Sequence, residues 1–182
     1  MNDVVYKLLK SILTLVAMLP LGVLYVFSDI LFLIIYFVVR YRRKLVEKNL
    51  TACFPDKSVE ERREICRKFY RNFADYIVET IKLLHISDAE ISRRMTFVDM
   101  DVLDRLTAAG KSVAVYYAHC GNWEWGTSMT LHVSPVSHKN TDYCQVYRPL
   151  RNRVFDRLML DVRSRFGSYS FSKTTVLRDL IC

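Results

Sequence analysis

Ser112-Val113-Ala114-Val115-Tyr116-Tyr117-Ala118-His119-Cys120-Gly121-Asn122-Trp123-Glu124 is the stretch whose pattern decides the fold class. Residues 112–118 are β-branched, aromatic and uncharged, which predicts a buried strand ending at His119. Gly121 and Asn122 open a turn, and Asn122 is placed to cap a helix whose first turn carries Glu124, where the helix dipole favours a carboxylate. Upstream, Asp101 to Ala109 reads as a helix closed by Gly110. Downstream, a polar loop from Ser134 to Asp142 leads to a second short strand, Tyr143 to Tyr147. Asn152 then caps a helix running to about Phe166, with Phe155, Leu158, Val162 and Phe166 on its buried face and Gly167 ending it. Helices alternating with short strands argue for an α/β architecture.

A histidine at a strand end and a glutamate one turn into the next helix can face each other. The carboxylate then keeps one ring nitrogen protonated and leaves the other free to take a proton from a hydroxyl. The same spacing also suits a buried histidine paired with a structural glutamate. Cys120 adjoins His119, but neighbours on an extended segment point to opposite sides, so it is expected to be a small filler.

The N-terminal segment decides the cellular setting. Ser11 to Ser28 carries no charge, and after Asp29 the apolar run resumes from Ile30 to Val39. Such a run reaches the roughly 20 residues that a bilayer span needs. It is too long for a signal peptide and lacks a small-x-small cleavage site. Pro20 and Gly22 interrupt it, leaving a kinked span or a re-entrant helical hairpin, with a buried core helix as the soluble alternative. If it spans, Arg40, Arg42, Arg43, Lys44 and Lys48 outnumber Lys7 and Lys10 and place the C-terminal side in the cytoplasm. Residues 1–40 are therefore expected to form a membrane anchor, and 41–182 a folded domain.

From Tyr41 to about Ala52 a basic surface helix is expected, broken at Phe54-Pro55-Asp56. Ser58-Val59-Glu60-Glu61 is a capping box opening a long helix with Ile65, Phe69, Phe73, Tyr76, Thr80 and Leu83 on its apolar face. Arg63, Arg67 and Arg71 line the other face, suited either to anionic headgroups or to water.

Residues 1–39 contain two acids and two lysines, so the net charge of +8 belongs to the remainder of the 182-residue chain. That balance favours phosphorylated lipid, anionic membrane or an acidic carrier protein. Nucleic acid is not expected, because the basic residues are interleaved with acids and no reader motif is present. The five cysteines have neither zinc-site nor disulfide spacing, and His132 and His138 have no metal-ligand spacing with any acid or cysteine. Among the arginines after Tyr147, Arg153 has Asp156 within helical reach, while Arg157 and Arg165 share Asp161. Arg148 and Arg163 lack a local acid and are the freest to meet an external anion.

The histidine-x4-acid motif with its Gly-Asn-Trp filling, Tyr147-Arg148-Pro149 and Arg163-Ser164-Arg165-Phe166-Gly167 follow one another in an order that resembles the bacterial lipid A late acyltransferases, within the lysophospholipid acyltransferase superfamily. The likeness extends to Asn49-Leu50-Thr51-Ala52-Cys53-Phe54-Pro55 and the hydrophobic N-terminus. It implies a membrane helix or helical hairpin followed by helices packed on a partial β-sheet of the glycerolipid acyltransferase type. It also implies transfer of a fatty acyl chain from an acyl carrier protein thioester to a hydroxyl of a lipid A precursor, on the cytoplasmic face of the inner membrane, with no bound cofactor or metal. His119 would be the general base and Glu124 its orienting acid, with Asn122, Arg148, Arg163 and Arg165 meeting substrate or oxyanion. A phospholipid or aminolipid acceptor, and a non-catalytic lipid-binding fragment, are the alternatives. Members of the family run on well past the last residue here, so 41–182 is expected to be the first part of the acyltransferase domain, lacking later strands and an acidic motif.

Overall fold

The computed structural model describes residues 2–181. Its helices group into two compact units, one formed by residues 19–81 and the other by the first 18 residues with 82–182.

The 19–81 unit begins with α2 (Leu21–Leu33), which continues as a π-helical turn over Ile34–Val39. Arg40 and Arg42 both take left-handed backbone angles, φ 50°, and reverse the chain into α3 (Arg43–Cys53). A non-glycine residue in that region costs of order 1 kcal/mol, and here two in three residues make a sharp corner. The helix α4 (Val59–Lys82) opens with the expected capping box: Glu61 N–H donates to Ser58 Oγ at 3.1 Å, and Ser58 N–H donates to Glu61 Oε2 at 2.8 Å. Phe32, Ile35 and Tyr36 pack against Cys66, Tyr70 and Ala74 to form the core, with Val46 and Leu50 of α3 at its edge.

The buried stripe of α4 is displaced from the expected one. Cys66, Tyr70, Ala74 and Val78 are buried, whereas Phe69 is exposed and Ile65, Phe73 and Tyr76 are half-buried; Thr80 and Leu83 are buried as expected. Cys66 and Ala74 flank the buried ring of Tyr70, which meets Tyr36 edge-on at 5.5 Å. The other rings stack along the flank, Phe69 on Phe73 at 6.3 Å and Phe73 on Tyr76 at 6.4 Å.

In the other unit α1 (Asn2–Ala17) packs on α8 (Arg153–Ser164). Tyr6 donates its hydroxyl hydrogen to Asp161, Lys10 pairs with the same carboxylate at 2.8 Å, and Arg157 lies over the Tyr6 ring while pairing with Asp3. Lys82 is buried and its ammonium donates to the Ala17 carbonyl at 3.0 Å, satisfying an acceptor at the end of α1. Next come α5 (Asp88–Arg94) and α6 (Met100–Ala108), the latter stopped by Gly110 at φ 70°. A 3-10 helix spans Trp123–His132, and α7 (Pro135–Asn140) follows.

Strands β1 (Cys144–Tyr147) and β2 (Tyr169–Ser172) then pair in parallel, Cys144 opposite Tyr169 and Tyr147 opposite Ser172, joined by α8 as a crossover. The last element is α9 (Val176–Ile181). Mostly helical, with one small parallel sheet and an apolar N-terminal helix, the chain has the expected α/β class.

Three local expectations are corrected. Residues 112–118 form no strand and are exposed throughout, Tyr116 at 94 %. A strand exists only through a ladder, and among the described residues this segment pairs with neither β1 nor β2. The loop from Ser134 contains α7, because Ser134 accepts from Ser137 N–H and Pro135 sits in the first turn, where its missing N–H costs nothing. Phe155 is exposed, and Leu158, Val162 and Phe166 alone form the buried side of that region.

Two outcomes follow for stability. Asn152 caps α8 by accepting from Val154 and Phe155 N–H, so Asn152→Ala should lower unfolding free energy by about 1 kcal/mol in denaturant titration. Donors on Ser137 and Ser134 hold the Asp104 carboxyl below its ordinary value. Stability from a depressed carboxyl is present above the ordinary pKa and lost as pH falls through the folded one. Asp104→Asn should therefore flatten the fall in Tm on acidification below about pH 4, measured by circular dichroism.

Candidate active site

Glu124 stands in the first turn of the 3-10 helix and is only 3 % exposed. Both its oxygens accept from one guanidinium: Arg163 Nε donates to Oε2 at 2.9 Å and Nη2 to Oε1 at 2.7 Å. This fork-on-fork contact links residues 39 positions apart, beyond the reach of any count of helical neighbours. Arg163, expected with Arg148 to be the freest to meet an external anion, is instead engaged by an internal carboxylate, because the fold supplies the acid that its helical neighbours lack.

Several polar contacts hold the two partners in place. Thr130, on the same 3-10 helix as Glu124, donates to the Phe166 carbonyl at 2.6 Å. Gln145 of β1 donates to the Arg163 carbonyl at 3.2 Å and to Ser170 Oγ at 3.1 Å, while Ser168 Oγ donates to the Arg163 carbonyl at 2.8 Å. The end of α8 is therefore pinned from the strand side and from the 3-10 side at once. Tyr147, which points to the same side of β1 as Gln145, lies 5.9 Å from the guanidinium carbon of Arg163.

His119 sits five residues before Glu124, exposed, at the start of a tight turn in which Cys120 N–H bonds the Ala118 carbonyl and Gly121 takes φ 59°. That angle favours glycine. The imidazole packs on Trp123 at 4.8 Å, and among the described residues no hydrogen bond joins it to Glu124. Asn122 occupies the position before the 3-10 helix but makes no side-chain cap.

Tyr117, not foreseen as part of the site, turns its hydroxyl end toward Gly126, where a side-chain carbon would meet Cζ and the oxygen at 3.4 Å. Although the residue is 58 % exposed, burial of that end pushes its pKa up; the Glu124 charge adds to the rise and Arg163 opposes it.

The other arginines are placed apart from this pair. Arg165 donates to the Ile86 carbonyl and lies 3.9 Å from Asp88, instead of pairing with Asp161 four residues away. Asp161 is engaged by α1, and Arg157 by Asp3. Arg148 follows β1, exposed and without a hydrogen bond among the described residues. Gln145, Thr130 and Ser168 were not singled out in the sequence. The single polar side chain inside Tyr-Cys-Gln-Val-Tyr was the available signal for Gln145.

The arrangement offers an accessible imidazole five residues before a shielded carboxylate. Each Glu124 oxygen spends one acceptor site on Arg163, and a carboxylate oxygen has two, so an imidazole N–H can still be accepted. Concavities of about 250 Å³ open elsewhere, one along Lys173–Arg178 and one beside Tyr6 and Arg157; neither is lined by His119 or Glu124.

Comparison with known proteins gives a consistent outcome. The chain is 24 % identical over 127 residues to a lipid A biosynthesis acyltransferase of Haemophilus influenzae, 69 % of this chain and 38 % of that protein. It is 25 % identical over 124 residues to the lipid A biosynthesis palmitoleoyltransferase of Escherichia coli, 68 % of this chain and 38 % of that protein. It is 22 % identical over 142 residues to lipid A biosynthesis acyltransferase 2 of Shigella flexneri, 78 % and 43 %. The chain thus spans about two fifths of the length of these relatives. No solved structure matches it. The model of the bacterial lipid A biosynthesis acyltransferase family matches residues 4–181, nearly the whole chain, and the chain belongs to that family.

Proposed function

We propose that this chain carries the base-and-acid part of an acyltransferase that moves a fatty acyl group from an acyl carrier protein thioester to a hydroxyl of a lipid A precursor. The observation that carries the reading is the shielded Glu124 carboxylate, clamped by Arg163, five residues from an accessible His119. Family membership supports acyl transfer and a lipid A acceptor. The thioester donor, the cytoplasmic face of the inner membrane and the roles of single residues are part of the proposal.

A sugar hydroxyl is a poor nucleophile at neutral pH, so its proton must leave as it attacks. His119 rotates from Trp123 toward Glu124, donates one ring N–H to the carboxylate, and with the other nitrogen removes the acceptor's proton. The oxygen attacks the thioester carbon, and the carbonyl electrons move onto an oxyanion. When the tetrahedral intermediate collapses, the C–S bond breaks and the thiolate takes the proton back from the imidazolium. Arg163 fixes Glu124 in this scheme. Arg163 itself, the exposed Arg148, and the backbone N–H groups at Gly121 and Asn122 are the groups proposed to meet the oxyanion or substrate phosphate. Arg165 supports the same end of α8. The acceptor attacks directly, so neither an acyl-enzyme nor a bound cofactor enters.

In the full-length protein His119→Ala should reduce transfer from acyl carrier protein thioester to a lipid A precursor by roughly 10²- to 10⁴-fold with folding intact; a rate near wild type would reject the base. Arg163→Ala leaves a buried carboxylate without its cation, so it should cost about 3 to 5 kcal/mol of stability, read as a lowered denaturation midpoint. Arg163→Lys should recover part of that stability, because a single ammonium cannot serve both oxygens.

A further inference from the structure

We propose that the apolar helix Leu21–Val39 lies within one leaflet of an anionic membrane, parallel to the surface, instead of crossing the bilayer. The inference concerns the 19–81 unit alone and is independent of the acyl-transfer reading. By length the segment could span: its 19 residues have a mean hydropathy of 2.4, and at 1.5 Å per residue they reach about 28 Å. Its lateral contacts are incompatible with that orientation.

After the corner at Arg40–Arg42 the chain returns through α3, and α4 runs antiparallel along the helix. Tyr25 donates to Glu79 at 2.9 Å, Ser28 to Asp75 at 2.6 Å, and Arg71 to Asp29 at 2.7 Å, while Tyr36 meets Tyr70. Charged groups of α4 are thus ranged beside the middle of the apolar helix, from Tyr25 to Phe32, and Arg67, Lys68 and Arg71 are exposed as well. A spanning orientation would carry these groups into hydrocarbon, which is strongly unfavourable.

Among the described residues, the opposite side of the helix makes no such polar contact with α4. At 3.6 residues per turn Val23, Val26, Phe27, Ile30, Leu33 and Ile34 fall within an arc of roughly 120°, and all six are exposed. No polar residue interrupts that arc in the helical part, since Tyr25 and Asp29 face α4. The arc ends at Arg40, Arg42, Arg43 and Lys44, a basic cluster suited to anionic headgroups. An apolar stripe backed by a charged helix and flanked by cations is the composition of a segment lying in the interface.

Sidedness and binding test this on the full-length chain. With one epitope before Met1 and another in the turn at Asp56–Lys57, protease applied to sealed vesicles should remove both from the same side. Removal from opposite sides would mean a span and overturn the proposal. Flotation with vesicles of phosphatidylethanolamine and phosphatidylglycerol should weaken by at least about tenfold in Ile30→Glu, with unfolding unchanged, and stay at wild-type level in Val98→Glu, an exposed position outside this face. Unaltered flotation of Ile30→Glu, or its conversion of a dimer to a monomer without loss of flotation, would assign the face to something other than lipid.

Discussion

A buried carboxylate needs a cation, and Glu124 finds its cation 39 residues away in Arg163. That requirement ties the 3-10 helix to the end of α8. Removing one partner strands a charge in a shielded place, whereas leaving both paired satisfies two oxygens with one planar fork. The neighbouring hydrogen bonds from Thr130, Gln145 and Ser168 are all aimed at carbonyls between Arg163 and Phe166. They fix the backbone from which the guanidinium reaches, and β1 contributes to this through Gln145.

The site's division between shielded and open groups has a chemical consequence. His119 is accessible, as the proposed base would have to be to meet a bulky lipid acceptor. Glu124 holds a fixed position away from water, which suits the orienting role proposed for it. Gly121, with its left-handed backbone, sets the turn that separates the two. The 19–81 unit shows a similar division, since the helix over 21–39 meets α4 through a hydrophobic core and three polar contacts and is apolar on the far side.

Much of this was legible in the residues. Local signals held where the interaction is itself local: the Ser58–Glu61 capping box, the Asn152 cap and the stops at Gly110 and Gly167 involve groups within a few positions. The apolar run at the N-terminus and the short strand through Gln145 were equally readable. Hydrophobicity ranking misplaced the buried side of the first part of α4, because the core around Phe32 and Tyr36 takes Cys66, Tyr70 and Ala74 and leaves the rings at 69 and 73 along the flank. Strand-like composition at 112–118 did not make a strand, since pairing is a property of two segments.

Sequence alone determined the motif order, the net positive charge of the part after residue 39, the amphipathic helices and the five-residue separation of histidine and glutamate. Only the tertiary structure decided which arginine meets Glu124, that Arg165 turns to Ile86 and Asp88, that His119 lies on Trp123, and that charged residues of α4 flank the apolar helix. The physical reason is range. Caps, turns and periodicity are set by bonds spanning three or four residues, whereas ion pairs and helix packing join positions whose proximity exists only after the chain has folded.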